Sequence, residues 1–262
     1  MGRILMLCII LNICIFAQNP KDMLIVDETG KSILRIFVNQ IGNGFFVEKH
    51  QIGYDFVISA SHLFWCNSTI GKLSTNGILE NIDRAHDEDL NIENVVALKD
   101  GKISSVSAYT YEGIRLSDVK ILFNTSSPKL LSDPDRALLS VAFVEDVSHT
   151  HIPLMEDKVF DEIFYKDGIG KEVVARGFLL YGDGWFLRYR NAKIEWIRPN
   201  IFQINELLDN GLSGGPLTYS LVEKIYAVGV TSHGPIQQNA RNFDMSWATI
   251  IKKSFLEKRN KK

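Results

Sequence analysis

Three residues far apart in the chain have the types needed for one kind of chemistry. Ser213 stands in Gly211-Leu212-Ser213-Gly214-Gly215-Pro216, where the single reactive side chain is a hydroxyl. Glycine takes backbone angles closed to other residues and lets a neighbouring segment approach closely. Proline fixes φ and has no N–H to give. Such a loop is either a plain turn between strands, for which Gly, Ser and Pro are ordinary residues, or a nucleophile loop whose N–H groups face a developing negative charge. A nucleophilic serine needs a base within reach and a group that orients the base. His62, in "VISASHLF" (57–64), is the candidate base, and Asp135, in "DPDRALLSV" (133–141), is the candidate acid. The plainer readings are a histidine satisfied by the backbone and a turn acid at a strand start. Asp133 lies two residues from Asp135, and residues two apart share a face of an extended chain, so periodicity does not separate them.

The elements around these residues read as strands. Short runs rich in β-branched and aromatic residues recur between Gly, Asn and Asp: "SILRIFV" (32–38), "GFFVEK" (44–49), "YDFVISA" (54–60), "ENVVALKDG" (93–101) and "VKILFN" (119–124). "RALLSVAFV" (136–144) sets Ala137, Leu139, Val141 and Phe143 on one face, a period-two pattern. A second set follows in "EVVARGFLLYG" (172–182), "GWFLRYR" (184–190), "IFQINEL" (201–207) and "IYAVGVTS" (225–232), with Gly182-Asp183-Gly184 as a hairpin signal. Many short strands without helical periods between them imply an all-β barrel or sandwich. The stretch 145–171 interrupts the rhythm as a connection between two halves. At the end, Trp247, Ile251 and Phe255 fall four apart, which predicts a C-terminal α-helix.

The 262 residues are 45% hydrophobic and 23% charged, enough apolar material for a real core. A formal net charge of -2 gives no global attraction to nucleic acid or acidic membranes. The basic run Lys258-Arg259-Asn260-Lys261-Lys262 reads as a solvated tail. Arg3, the apolar Ile4 to Phe16 and the small Ala17 have the form of a cleavable export signal over residues 1–17, too short to span a bilayer comfortably. The expected location is secreted or periplasmic. Cys8 and Cys14 lie inside that signal, so the mature chain keeps Cys66 alone and forms no intrachain disulfide. Asn67-Ser68-Thr69 and Asn124-Thr125-Ser126 are glycosylation sequons, meaningful in a eukaryotic host. His149 and His151, in "HTH", read as a solvated pair rather than a ligand set. No CxxC, HExxH or phosphate loop is present, so neither metal nor cofactor is expected.

The order His62, Asp135, Ser213 and the words around them resemble the trypsin-like, chymotrypsin-fold serine peptidases, especially the disulfide-free bacterial secreted forms. "GNGFFVEK…DFVISASHLF" resembles that family's glycine-rich strand and its Thr-Ala-Ala-His segment, and "DRALLSV" its Asp-x-Ala-Leu-Leu strand. "IPL…GKEVVARGF" resembles the linker and the first strand of the second barrel. "NGLSGGPL…AVGVTSHG" resembles the Gly-x-Ser-Gly-Gly-Pro loop and the strand beside the primary pocket. The match runs over roughly residues 32–256. It implies two six-stranded antiparallel β-barrels, the first within 18–148, a linker at 149–170, and the second with the terminal helix within 171–262. It implies hydrolysis of peptide bonds in a polypeptide substrate, with Ser213 as nucleophile, His62 as base and Asp135, favoured over Asp133 by its place before Ala137-Leu138-Leu139, as the orienting acid. The backbone N–H groups of Gly211 and Ser213 would form the oxyanion hole. Leu207 and Leu208 would floor the primary pocket, and Ser232, His233 and Gly234 would line its wall. A leucine floor offers no carboxylate to a Lys or Arg side chain. The expected preference is therefore for an apolar residue before the scissile bond, or an acidic one if Thr231, Ser232 and His233 converge on its carboxylate.

Departures from the family are local. Leu212 stands where the animal digestive branch often has Asp, so activation by pairing with a new N-terminus is not expected. Arg136 occupies a commonly apolar position and can point to solvent. Leu63 replaces a frequent disulfide cysteine. Two rivals are readable. Gly211-x-Ser213-x-Gly215 also fits the nucleophile elbow of α/β hydrolases, but that elbow needs an acid and then a histidine downstream. The downstream histidine is His233, with Glu223 before it, at too close a spacing, and βα alternation is missing. The other rival is a binding module on the same fold that has lost catalysis.

Overall fold

The computed structural model describes residues 29–38, 41–51, 53–65, 70–73, 79–81, 95–99, 102–104, 106–116, 118–124, 134–142, 149–181, 184–233 and 246–257. The expected export signal, Asp133, Gly234, Cys66 and both sequon triplets except Asn124 lie outside the described residues. Two antiparallel β units follow one another in the chain, as the strand rhythm implies. The first contains β1 (Ile33–Phe37), β2 (Ile41–Gln51), β3 (Tyr54–Ser59), β4 (Ile70–Leu73), β5 (Leu79–Asn81), β6 (Val95–Lys99), β7 (Lys102–Ser104), β8 (Ser107–Tyr109), β9 (Asp118–Asn124) and β10 (Ala137–Ala142). These pair in the order β5-β4-β6-β9-β10-β3-β2-β1-β8, with β7 beside β6. The second contains β11 (Glu172–Tyr181), β12 (Gly184–Ile197), β13 (Ile201–Ile204), β14 (Pro216–Leu221), β15 (Lys224–His233) and β16 (Ser246–Ile250), closed into a barrel in the order β11-β12-β13-β16-β15-β14.

Each unit has its own core. In the first, Leu34, Ile36, Phe45, Phe46, Val57, Ile58 and Leu139 are fully buried. In the second, Phe160, Phe164 and Phe202 form one aromatic cluster, with Phe164 5.3 Å from Phe202. All six residues of β10 are buried. The alternation in its sequence predicts one buried face, but a strand between β3 and β9 that is covered on both sides buries the other face too.

The end of the chain corrects one expectation. Trp247 and Ile250 belong to a strand, not a helix, and β16 pairs with both β13 and β15. The helix is the single turn Ser254–Glu257. The i, i+4 spacing of Trp247, Ile251 and Phe255 spans a strand end and a helical turn, and Thr249 and Ile250 are β-branched, which suits the sheet better. Conversely, the connection 145–171 holds a helical segment the strand-based reading passes over, Asp157–Phe160 continuing as one wide turn through Asp161–Tyr165. Its signal is Phe160 and Phe164, four apart and both buried.

The segment before that helix fastens the halves together. The Ile152 N–H donates to the Phe46 carbonyl (2.9 Å) in the first unit, and the Ala227 N–H in the second donates to the Pro153 carbonyl (3.0 Å).

Candidate active site

Strand pairing brings His62 and Asp135 together. In the antiparallel pair β3–β10, Ser59 lies opposite Ala137. His62, three residues past Ser59, and Asp135, two before Ala137, therefore leave the sheet at the same end. His62 opens a one-turn helix, α1 (His62–Trp65), anchored by Leu63 and Phe64 at 1% and 0% exposure. Its own side chain keeps 21% exposure while that of Asp135 keeps none. His62 Nδ1 is 2.6 Å from Asp135 Oδ2. The Ser61 hydroxyl and the His62 N–H both donate to Asp135 Oδ1, each at 2.8 Å. A buried carboxylate is tolerable when its lone pairs are taken up in this way. The Asp135 N–H in turn donates to Thr249 Oγ1 (3.0 Å), so a residue of β16 in the second barrel holds the acid of the first unit. With Nδ1–H directed at the carboxylate, the imidazole's lone pair lies at Nε2, the tautomer a general base needs.

Ser213 sits on the facing loop. Its carbonyl accepts the Asn43 N–H of β2 (2.8 Å). A side chain at Gly42 would strike both Leu63 and the Ser213 carbonyl, so the loop passes directly over the strand beside the turn that carries His62. The Ser213 hydroxyl donates to the Ser232 carbonyl at 3.4 Å, and among the described residues it is not joined to His62. That distance is long for a hydroxyl donor, and catalytic hydrogen bonds are often long or misaligned before substrate arrives. The structure thus brings His62 and Asp135 into contact and sets the Ser213 loop beside them.

The glycines of the loop have separate causes. Gly211 and Gly214 have φ of 101° and 84°, a region that favours glycine. A Cβ on Gly214 would run into the Asn43 carbonyl and Ser59 Oγ, and one on Gly215 into the Arg176 carbonyl. Thr231 fixes the loop from β15, its hydroxyl donating to the Leu212 carbonyl (2.5 Å) while its own carbonyl accepts the Gly214 N–H (2.8 Å). The N–H groups of Gly211 and Ser213 have no acceptor among the described residues.

Asn43 is the residue that sequence reasoning misses. Its carboxamide behaves as a strand partner for Phe178 of β11: Oδ1 accepts the Phe178 N–H (2.6 Å) and Nδ2 donates to the Phe178 carbonyl (3.2 Å). Nδ2 also donates to the Gly211 carbonyl (2.7 Å). The β11–β14 pairing covers Val174 and Ala175, so Asn43 takes over beyond the point where that ladder stops. One fully buried side chain therefore joins β2, β11 and the serine loop. The available signal was a polar residue held between two glycines inside an apolar strand.

The remaining expected site residues are placed less uniformly. Leu208 is buried in the second core with its N–H on Ser246 Oγ (2.8 Å). Leu207 is 44% exposed. Ser232 is nearly buried, and His233 pairs with Trp247 in the sheet. Between these leucines and the serine, Asp209 is bound by both Nε (3.1 Å) and Nη2 (3.0 Å) of Arg190, steadying the loop's approach. Arg136 does not point to solvent. It reaches the Ile250 carbonyl (3.1 Å) and stacks 4.6 Å over the Phe255 ring, because β16 and the terminal turn close over that side.

Against this geometry, comparison with solved structures is informative about architecture. The chain is similar in fold to Deg5. The crystal structure of Deg5 matches with a TM-score of 0.50 and 16% identity, covering 89% of this chain and 88% of that one. No family model and no curated protein matches the sequence.

His149 and His151 also differ from expectation. They are not a solvated pair, since both direct Nε2 at Asp55 Oδ2 at 2.6 Å. Asp55 lies in β3 and is buried, so the connecting segment supplies partners for a carboxylate that would otherwise have none from its own sheet face.

Proposed function

We propose that this chain is an exported serine endopeptidase of the trypsin-like kind. Ser213 Oγ attacks the scissile carbonyl as His62 Nε2 takes its proton. The tetrahedral intermediate collapses to an acyl-enzyme as His62 returns the proton to the leaving amine, and water then releases the acid by the same steps in reverse roles. Asp135 holds the imidazole in the working tautomer and stabilises its charged form. The Gly211 and Ser213 N–H groups stabilise the oxyanion, a contribution on the order of 10²–10³ in rate per donor. The observation that carries this reading is the 2.6 Å contact of His62 Nδ1 with a fully buried Asp135 beside a glycine-shaped serine loop.

A fluorophosphonate probe tests it, because such probes label a serine only when its base is functional. Labelling of the wild-type chain at Ser213, with loss of both labelling and peptide hydrolysis in Ser213→Ala, is the expected result. One observation favours a second reading, a binding module on the same fold: the Ser213 hydroxyl is turned to the Ser232 carbonyl. A wild-type chain that folds, binds peptide and takes no label would establish that reading instead.

A further inference from the structure

At the opposite end of β3 from His62, the connecting segment makes a second constellation of side chains. His149 Nε2 and His151 Nε2 each approach Asp55 Oδ2 to 2.6 Å, and the three atoms lie within 4.8 Å of one another. Roughly 13 Å of strand separates Asp55 from Ser59, so these groups take no part in the chemistry of His62. We propose that Asp55, His149 and His151 bind a divalent transition-metal ion, zinc by the chemistry of the donors, at a site joining the inter-barrel segment to the first β unit.

Five features support the assignment. The donor set, two imidazoles and a carboxylate, suits zinc, with a water as fourth ligand. Both imidazoles present the same nitrogen, Nε2, to the same carboxylate oxygen. The segment's backbone is fixed independently of the histidines. Thr150, between them, bonds to Ser32 Oγ (2.6 Å), and the Ile152 N–H donates to the Phe46 carbonyl (2.9 Å). The Phe46 ring, 4.8 Å from the His149 ring, gives one side of the site an apolar wall. Finally, the cluster is reachable: the histidines keep 16% and 26% exposure while Asp55 keeps 5%.

The fit to a metal is a small adjustment. Tetrahedral zinc with ligands at 2.0–2.1 Å spaces its donor atoms about 3.3 Å apart. Each imidazole nitrogen would withdraw from Asp55 Oδ2 by roughly 0.7 Å, and its Nε2 proton would move to Nδ1 or leave to solvent as the metal bond replaces the hydrogen bond. Binding needs neutral imidazoles and an ionised carboxylate.

The test uses the full, tag-free chain, stripped with chelator and titrated with zinc chloride alone by calorimetry, and with cobalt(II) followed by visible absorption. The expected result is about one ion per chain, tetrahedral cobalt bands that zinc abolishes, and a melting temperature raised by roughly 5–10 °C at hundredfold excess over Kd. His151→Gln and His149→Gln should each weaken zinc binding at least about 100-fold, the scale of losing a metal-supporting group. Both positions are part-exposed, and circular dichroism checks that the variants fold. Absence of cobalt bands and of zinc heat in the wild-type chain overturns the proposal whatever the variants do. Zinc affinity within threefold of wild type in a folded His151→Gln chain overturns it equally.

Discussion

Replacing Asn43 by alanine isolates the contribution of one buried carboxamide. The side chain serves three backbone groups: the Phe178 N–H, the Phe178 carbonyl and the Gly211 carbonyl. A buried N–H left without an acceptor costs about 1–3 kcal/mol. Carbonyls lose less, since each has a second lone pair. Partial rescue by water entering the vacated space lowers the sum, so about 2–4 kcal/mol is expected, a large share of the roughly 5–15 kcal/mol of a typical domain. Urea unfolding at constant temperature reads it as a lower midpoint at unchanged slope. Activity should fall by more than stability explains. Once its carbonyl is released, the Gly211 peptide can rotate, and a loss of only ~1.4 kcal/mol in transition-state stabilisation is tenfold in rate. The expected kcat, measured where the variant is fully folded and corrected by titration of labelled serine, is about tenfold below wild type. A midpoint shift worth under about 0.5 kcal/mol together with unchanged kcat refutes the clamp, since surface-like substitutions give no more than that.

Asp135→Asn should lower kcat on the order of 10⁴ with the fold retained, measured by peptide hydrolysis; if Asp133→Asn gives that loss and Asp135→Asn does not, the acid is misassigned. Thr249→Val removes the acceptor of the Asp135 N–H without changing shape and should cost about 1–2 kcal/mol in urea. Gly214→Ala places a Cβ against the Asn43 carbonyl at positive φ and should lower the yield of soluble, folded chain sharply, by gel filtration of matched cultures. A peptide-library digest should show little cleavage after Lys or Arg; dominant cleavage there would refute the argument from the leucines before Ser213.

How much of this was legible in the sequence depends on the distance over which each feature is encoded. The strands of the second barrel announce themselves locally, and the β11–β12 hairpin follows from Gly182-Asp183-Gly184, with Tyr181 opposite Gly184. His62, Asp135 and Ser213 could be singled out by type and order, yet their meeting depends on Ser59 facing Ala137, a register no local pattern states. Asn43 shows in the sequence only as a polar residue between two glycines, and its role stays hidden because the groups it serves lie 135 and 168 residues away. His149 and His151 read locally as a solvated pair for the same reason, because the carboxylate that orders them, Asp55, lies 94 and 96 residues away. The C-terminal helix was overextended because spacing by four also occurs where a strand leads into a turn.

The hydrogen bond from Asp135 to Thr249 also has a consequence in time. During synthesis, His62, Asp135 and Ser213 all leave the ribosome before β16, which follows them in the chain. Until that strand inserts between β13 and β15, the acid lacks its support from the second barrel and the barrel is open. If the proposed function holds, a half-made chain is expected to be latent, with hydrolytic competence arriving only once β16 is in place.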